Sequence, residues 1–163
     1  MGSLTLLRLD FSHVLAFDTA RLLTITTSEL LMMLTRSVII NGFKFIQTLK
    51  FLLQDMSELG RHTSIIHFTS EGMTQYMWTH RDIQPWGEHL PVQCFKCSII
   101  QKWVSISQEP GSYAYECSND HCRWVGNRKV GKQLKFVKMC PEGVAFLHKN
   151  RAHMSLWMKV SVD

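Results

Sequence analysis

Two pairs of cysteines in the second half constrain this chain more than any other sequence feature. Cys94 and Cys97 are separated by two residues, and after nineteen more residues Cys117 and Cys122 form a second pair. A two-residue gap lets both thiolates of a tight turn face one ion, and a longer excursion returns a second pair that completes a tetrahedron. Two close pairs at this separation are typical of a four-cysteine zinc site.

The segment between the two pairs predicts a β-hairpin. Residues 103–107 and 113–117 alternate between the two faces of a strand, and residues 108–111 have the composition of a turn. The segment 89–125 resembles a zinc ribbon. Its first cysteine pair matches that family's usual knuckle, whereas its second pair has four intervening residues in place of two. The residues expected to bind the metal are Cys94, Cys97, Cys117 and Cys122.

Two other residues compete for a place in the ligand set. The spacing Cys117-x-x-x-His121 is also permitted for a metal site, so that His121 in place of Cys122 would give three cysteines and one histidine. Cys140 is the natural substitute if one of the assignments is wrong. Four protein ligands leave no open coordination position, so the expected zinc is structural and not catalytic. The remaining alternative is a set of unmetallated core cysteines.

Charge divides the chain near residue 90. Residues 1–90 hold seven Lys and Arg against eight Asp and Glu, a net charge of −1, whereas residues 91–163 hold eleven against five, a net charge of +6. A cluster of Pro and Gly residues lies at this transition. We therefore predict an α+β protein in which residues 1–85 form a helix-rich α/β segment of unknown function. Residues 86–163 would form a zinc-ribbon-like β module with a basic strand and a C-terminal hairpin that joins the sheet of the ribbon.

Hydrophobic periodicity predicts two helices in the first half. Apolar residues recur at steps of three and four from Phe45 to Leu59, and Gly60 is placed to end that helix as its C-cap. An earlier helix is expected to begin at a capping box formed by Thr26 and Glu29, and to end or kink at Asn41-Gly42.

The same half contains candidate strands. Residues 63–69 are rich in β-branched and aromatic side chains and predict a buried strand that leads into a loop at Glu71. Residues 4–9 and 22–26 are candidates for further short strands. Three methionines at helical spacing are interpreted as core residues, with a cofactor or partner surface as the alternative, namely Met32, Met33 and Met56.

A basic stretch follows the second cysteine pair. Six basic residues and no acidic one lie between positions 123 and 138, and Trp124 and Phe136 are interleaved with them. Cations combined with aromatic rings suit phosphate contact and base stacking, although a solvated strand or loop whose lysines keep the module soluble is the favoured explanation. The partner is therefore expected to be protein or nucleic acid, and the choice stays open. The candidate nucleic-acid-binding residues are Arg123, Arg128, Lys129, Lys132, Lys135 and Lys138.

Catalytic patterns are sparse. The sequence has no Gly-x-Ser-x-Gly nucleophile elbow, no Gly-x-x-x-x-Gly-Lys-Ser/Thr phosphate loop and no His-Glu-x-x-His. The leading interpretation is a structural zinc module that supports recognition of a macromolecule. The alternative is an enzyme in the first half that uses His67, His80 and Asp82, for which the proximity of an imidazole and a carboxylate is the only signal.

Targeting signals are not apparent. The longest stretches without Asp, Glu, Lys or Arg run nine residues, against about 20 needed to cross a bilayer, so no membrane partner is expected. An intracellular location, cytoplasmic or nuclear, fits cysteines that bind metal in place of forming disulfides. The order of Trp86-Gly87, Cys-x-x-Cys and Pro141-Glu142-Gly143 also resembles C-terminal segments of fungal proteins, and this resemblance implies no activity.

Overall fold

The computed structural model describes residues 11–19, 22–100, 103–109, 111–119, 122, 124–125, 128–129, 135–147 and 155–162. These residues divide between two compact units. The first lies within Met1–Trp78, Gly143–Asn150 and Leu156–Asp163, and the second lies within Thr79–Glu142 and Arg151–Ser155. Helices combine with antiparallel strand pairs, which confirms the predicted α+β class. The division into domains after residue 85 stays a prediction.

Ten strands form three sheets in the described part of the chain. The strands are β1 (Val14–Asp18), β2 (Ser64–Thr69), β3 (Gly72–His80), β4 (Trp103–Glu109), β5 (Ser112–Cys117), β6 (Trp124–Val125), β7 (Arg128–Lys129), β8 (Lys135–Met139), β9 (Ala145–Phe146) and β10 (Ser155–Val162). A five-stranded sheet has the order β1-β2-β3-β10-β9, a three-stranded sheet has the order β4-β5-β8, and β6 pairs with β7.

The first helical region begins earlier than predicted. Helix α1 (Thr24–Leu34) continues into a π-helical segment (Thr35–Ile40), and the region ends at Asn41 as expected. Leu23 is the N-cap and makes no side-chain capping bond, while the Thr26 hydroxyl donates to the Leu23 carbonyl at 3.3 Å. The predicted capping box at Thr26 and Glu29 is therefore wrong, because both residues already lie within the helix. The short strand predicted over residues 22–26 is wrong for the same reason.

The second predicted helix is broken into two. Helix α2 (Phe45–Leu53) and helix α3 (Ser57–His62) are separated by residues 54–56, whose amides donate to carbonyls three residues earlier. Gly60 is not a C-cap, since it lies inside α3 and is buried. A Cβ at this position would lie 2.8 Å from Cζ2 of Trp157 and closer still to the Trp78 side chain. Gly60 is thus required by close packing.

The predicted strand at residues 63–69 is confirmed as β2, but its continuation differs. The residues after Glu71 form β3 in place of the expected loop, and β2 and β3 pair through a short turn in which Thr69 lies opposite Gly72. Strand β1, which the sequence did not predict, pairs with the other edge of β2. The candidate strand over residues 4–9 lies outside the described residues.

The C-terminal hairpin joins a different sheet from the one predicted. Strand β10 pairs with β9, with Met158 opposite Phe146, and it lies between β9 and β3 in the five-stranded sheet. The expectation that this hairpin extends the sheet of the ribbon is therefore wrong. The physical reason is burial, since Trp157 and Met158 are almost fully buried and Trp157 belongs to the core of the first unit.

The core of the first unit lies where its helices pack on the five-stranded sheet. Met56 packs against this core, but Met32 and Met33 are 69% and 41% exposed, so that the core interpretation is wrong for these two residues. The buried core residues are Leu30, Leu34, Leu49, Leu53, Leu59, Ile65, Tyr76, Trp78 and Trp157. No helix in the described ranges is long and apolar enough to cross a membrane.

The hairpin predicted between the cysteine pairs is confirmed in the second unit. Strands β4 and β5 pair from Trp103 opposite Cys117 to Glu109 opposite Ser112, with an irregularity in register between Ser105 and Ser107. Strand β8 adds a third member on the other side of β5. The hairpin thereby returns Cys117 toward the first cysteine pair.

Candidate metal centre

The four predicted cysteines form one cluster in the second unit. Their Sγ atoms all lie within 4.8 Å of one another. The Sγ atoms of Cys94 and Cys122 are 3.5 Å apart, and those of Cys97 and Cys117 are 3.9 Å apart. A tetrahedral ion with zinc–sulfur bonds of about 2.3 Å requires sulfur–sulfur separations of about 3.8 Å. The cluster therefore has dimensions that suit one tetrahedral ion.

The first knuckle is a turn closed by backbone hydrogen bonds. The amide of Ser98 donates to the Cys94 carbonyl at 2.9 Å, and the amide of Cys94 donates to the Ile99 carbonyl at 3.1 Å. Ser98 adopts a φ of 54°, in the left-handed region, which reverses the chain directly after Cys97. The amide of Lys96 points at the Cys94 Sγ, 3.4 Å away. The two-residue gap between Cys94 and Cys97 allows this hydrogen-bonded turn.

The second knuckle repeats that bond despite its wider gap. The amide of Asn119 donates to the Cys117 Sγ at 3.5 Å, again from two residues beyond the first cysteine of the pair. The carbonyl of Asn119 accepts from the amide of Cys122 at 3.0 Å, a hydrogen bond that holds Cys122 close to Asn119. The four-residue gap is therefore compatible with four cysteine ligands. The rival ligand His121 lies outside the described residues.

Two contacts join one knuckle to the other. The side-chain amide of Asn119 donates to the Cys97 Sγ at 3.5 Å, and the ammonium group of Lys96 donates to the Cys122 carbonyl at 2.7 Å. Neither contact was predicted from the sequence. The positions of Lys96 and Asn119 in the sequence could have indicated that they lie at the site. In each pair, the residue two positions after the first cysteine donates its backbone amide to the sulfur of that cysteine.

Aromatic side chains of the hairpin cover the cysteines. Cys94, Cys117 and Cys122 are at most 1% exposed, and Trp103 and Tyr115 complete the same buried cluster. The Trp103 indole donates to the Pro91 carbonyl at 2.6 Å, and the Tyr115 hydroxyl donates to the Arg81 carbonyl. The indole N–H of Trp103 and the hydroxyl of Tyr115 are thus hydrogen-bonded, as is usual for buried Trp and Tyr, while the two rings exclude water from the cysteines.

The thiols of the cluster differ in their acidity. The backbone amide of Ile99, assisted by hydrogen bonds that include one from Asn119, lowers the pKa of Cys97 to about 6. Burial raises the pKa of Cys117 and of Cys122. Only thiolates bind metal ions strongly, so binding of a cation must expel protons from the buried thiols. Burial makes the thiolates of this site costly to form, and the four sulfur atoms surround a space about the size of an ion. Such a site suits a soft divalent cation.

Cys140 and the basic residues occupy other positions. Cys140 follows β8, where its amide donates to the Gly111 carbonyl at 2.7 Å, and burial raises the pKa of its thiol. Lys138 forms an ion pair with Glu88. Arg128, Lys129 and Lys135 lie on β7 and β8, while Arg123 and Lys132 fall outside the described residues. Nucleic-acid binding by these residues stays a prediction.

The residues of the enzymatic alternative belong to both units. In the first unit, the Nε2 of the buried His67 lies 3.1 Å from the Nδ1 of His13. In the second unit, the Nδ1 of His80 accepts from the backbone amide of Asp82 at 3.1 Å, and the Asp82 carboxylate accepts from the Arg81 guanidinium at 3.2 Å. The Asp82 carboxylate is thus engaged by an arginine, and a catalytic role for these residues stays a prediction.

Comparison with known proteins adds no assignment to this geometry. No protein-family model, curated protein or solved structure matches the chain. The interpretation of the cysteine cluster therefore depends on its own distances, burial and hydrogen bonds.

Proposed function

We propose that Cys94, Cys97, Cys117 and Cys122 bind one structural zinc ion, which holds the second unit as a zinc-ribbon-like module for recognition of another macromolecule. The observation that carries this proposal is the convergence of four Sγ atoms to within 4.8 Å inside a buried cluster. Four thiolates in a tetrahedral arrangement select zinc or iron among the common metals. A complete set of protein ligands leaves no position for substrate or water, which favours a structural role.

Metal content tests the zinc proposal directly. The full chain, purified without added metal, should contain one zinc per chain by elemental analysis. Cys122→Ser should lose most of that zinc because its sulfur completes the tetrahedron, whereas His121→Ala should retain it. Cys140→Ser is the matched control, since it removes a thiol outside the cluster, and it should also retain the zinc.

Three results would contradict the proposal in different ways. A folded wild-type chain without metal would remove the site altogether. One iron in place of zinc would retain the four ligands and change the metal. Loss of zinc from His121→Ala together with its retention by Cys122→Ser would replace the fourth ligand by histidine.

The outer face of the three-stranded sheet supports a protein partner. Val104 lies opposite Glu116 and Val137 lies opposite Ala114, so these side chains share one face, and Val104 and Val137 are 48% and 56% exposed. Met139, two residues beyond Val137, is 67% exposed. Apolar side chains at the surface of a sheet suit burial against protein better than contact with phosphate.

Salt dependence separates the two classes of partner. Fluorescein-labelled single-stranded DNA and RNA, titrated with the full chain at 50 and 200 mM NaCl, should show no salt-sensitive binding. Binding that weakens with salt, and weakens again in the double variant Lys132→Glu Lys135→Glu, would favour nucleic acid as the partner. The metal site and the class of partner are therefore tested independently.

A further inference from the structure

The turn between α1 and α2 exposes large apolar side chains on the first unit. Ile39 and Ile40 end the π-helical segment and are 76% and 74% exposed, and Phe43 is 61% exposed. The amide of Phe43 donates to the Ser37 carbonyl at 3.0 Å, so the backbone of the turn is hydrogen-bonded while its apolar side chains face outward. Residues 39–43 are called the apolar turn below.

Every formally charged side chain in the sequence on either side of the apolar turn, from residue 30 to residue 54, is basic. Residues 30–54 contain three basic residues and no Asp or Glu, although residues 1–90 as a whole have a net charge of −1. Arg36 and Lys44 flank the turn and are exposed, and Lys50 lies further along α2. The nearest acidic residues in sequence, Glu29 and Asp55, line a hollow of about 360 Å³ together with Glu58, and none of residues 36–44 lines it. The apolar turn therefore lies in a cationic segment of the first unit.

We propose that the apolar turn inserts into the surface of a bilayer that contains anionic lipids, with Arg36 and Lys44 placed among the headgroups. Aliphatic and aromatic side chains beside basic residues are the combination that binds the interfacial zone of such a membrane. This inference concerns the first unit and does not depend on the zinc site. The sequence expectation of no membrane partner came from the lack of a spanning segment, which does not bear on binding at the surface.

The observations favour a bilayer over two other occupants. A second copy of the chain, if it met this face with its own, would bring Arg36 and Lys44 close to the same cations, and like charges oppose such contact. A partner helix is bound by one continuous apolar groove. Ile39 and Phe43 line two different hollows, of about 310 and 490 Å³, which share no lining residue, so they do not form such a groove. A bilayer requires no groove, and its anionic headgroups complement the flanking cations.

Flotation with vesicles of defined composition tests the proposal. The full chain should float with vesicles of 70% phosphatidylcholine and 30% phosphatidylserine, and it should not float with phosphatidylcholine alone. Ile39→Ser Ile40→Ser should reduce partitioning by at least about tenfold, since two exposed aliphatic side chains are lost. Arg36→Gln Lys44→Gln should reduce it by about 25-fold, because each cation near an anionic surface contributes about fivefold.

The controls make the outcome decisive. Val92→Ser Ile100→Ser removes two exposed aliphatic side chains from the second unit and should float as the wild type does. Circular dichroism checks the fold of each variant, and Arg36→Gln Lys44→Gln remains informative if the isoleucine variant misfolds. A wild type that stays with neither type of vesicle would overturn the proposal, as would variants that float like the wild type. Dimerisation abolished by Ile39→Ser Ile40→Ser, without binding to vesicles, would assign the turn to a second copy instead.

Discussion

The side-chain amide of Asn119 donates a hydrogen bond to the Sγ of Cys97 at 3.5 Å, so that a residue of the second knuckle holds a sulfur of the first. The backbone of the same residue donates to Cys117 and accepts from Cys122. One asparagine thus contacts three of the four cysteines. Loss of a residue that orients the ligands of a metal typically lowers the affinity for that metal.

We expect Asn119→Ala to lower zinc affinity by about 10- to 100-fold without changing the zinc content at saturation, because the four sulfurs remain. Asn119→Asp should be worse, since it places a carboxylate beside the Cys97 thiolate. Competition with a chelator of known affinity measures both effects. The control is Asn41→Ala, which replaces an exposed asparagine in the first unit. Equal zinc affinities in the wild type and the three variants would contradict this role of Asn119.

Removal of the metal should unfold the three-stranded sheet. The described buried cluster of the second unit has five members, of which three are cysteines of the proposed metal site, so little apolar core remains to hold β4 against β5. Binding of structural zinc contributes about 10 to 16 kcal/mol in small modules of this kind. Hydrogen exchange after chelation at pH 7 should show loss of protection in β4 and β5, while β2 remains protected. Unchanged protection in β4 and β5 after complete removal of zinc would contradict this dependence.

Gly60→Ala should destabilise the first unit by about 3 kcal/mol. At an exposed position inside a helix, replacing Gly by Ala would stabilise the protein by about 1 kcal/mol. The destabilisation expected here therefore comes entirely from packing. The new Cβ would lie 2.6 Å from Cγ of Trp78 and 2.8 Å from Cζ2 of Trp157, and both indoles are buried. Neither ring can move away without disturbing the core. Urea unfolding measures the change.

The matched control for this substitution is Gly42→Ala. Gly42 has a φ of 69°, and no atom of the described residues lies within 4 Å of the position that an added methyl group would occupy. Its substitution should therefore cost only the left-handed backbone penalty of about 1 kcal/mol. A Gly60→Ala protein that is as stable as the Gly42→Ala protein, or more stable, would show that the two tryptophans tolerate a methyl group.

Low pH should reduce the stability of the first unit because His67 becomes protonated. Burial lowers the pKa of His67 below 6.5, and the neighbouring His13 and the cation of Lys159 lower it further. The unfolded chain therefore binds a proton near pH 6.5 that the folded chain resists. The contribution to stability is complete above about pH 6.5 and is lost progressively as the pH falls from there toward the folded-state pKa.

Urea midpoints between pH 8 and pH 5.5 measure this effect, with His67→Gln compared against the wild type. The variant should show a shallower loss of stability, because it has no imidazole to protonate at this position. His62→Gln, which removes an exposed histidine from α3, should retain the wild-type slope. Acid also protonates the thiolates, so the difference between variants is the relevant quantity. Identical slopes in all three proteins would remove His67 as the cause.

Local patterns predicted those parts of the fold in which neighbours along the chain determine the structure. The β-branched run that forms β2 and the alternation that forms the hairpin of β4 and β5 were both interpreted correctly. The convergence of the cysteine pairs was also predicted, since the spacing of the ligands and the returning hairpin are encoded in one continuous segment. The roles of His121 and of the basic stretch stay predictions.

Patterns failed where distant residues decide the outcome. The apolar periodicity from Phe45 to Leu59 contains no sign of the break between α2 and α3. Gly60 has the composition of a helix end, yet it is buried within α3 because two tryptophans from separate strands pack over it. Strand β10 forms in the tail for which the sequence predicted a hairpin, but a local pattern does not specify which sheet a strand joins.

The sequence by itself determined the candidate chemistry of this protein, namely four clustered thiols in two knuckles joined by a hairpin, since the cysteine spacing and the returning hairpin are encoded in one continuous segment. Only the tertiary structure decided how that chemistry is supported. It placed Asn119 across both knuckles, assigned β10 to the five-stranded sheet and left Ile39 and Ile40 outside the core. The physical reason is that these outcomes depend on the burial of surfaces from segments far apart in the chain, which local propensity does not record.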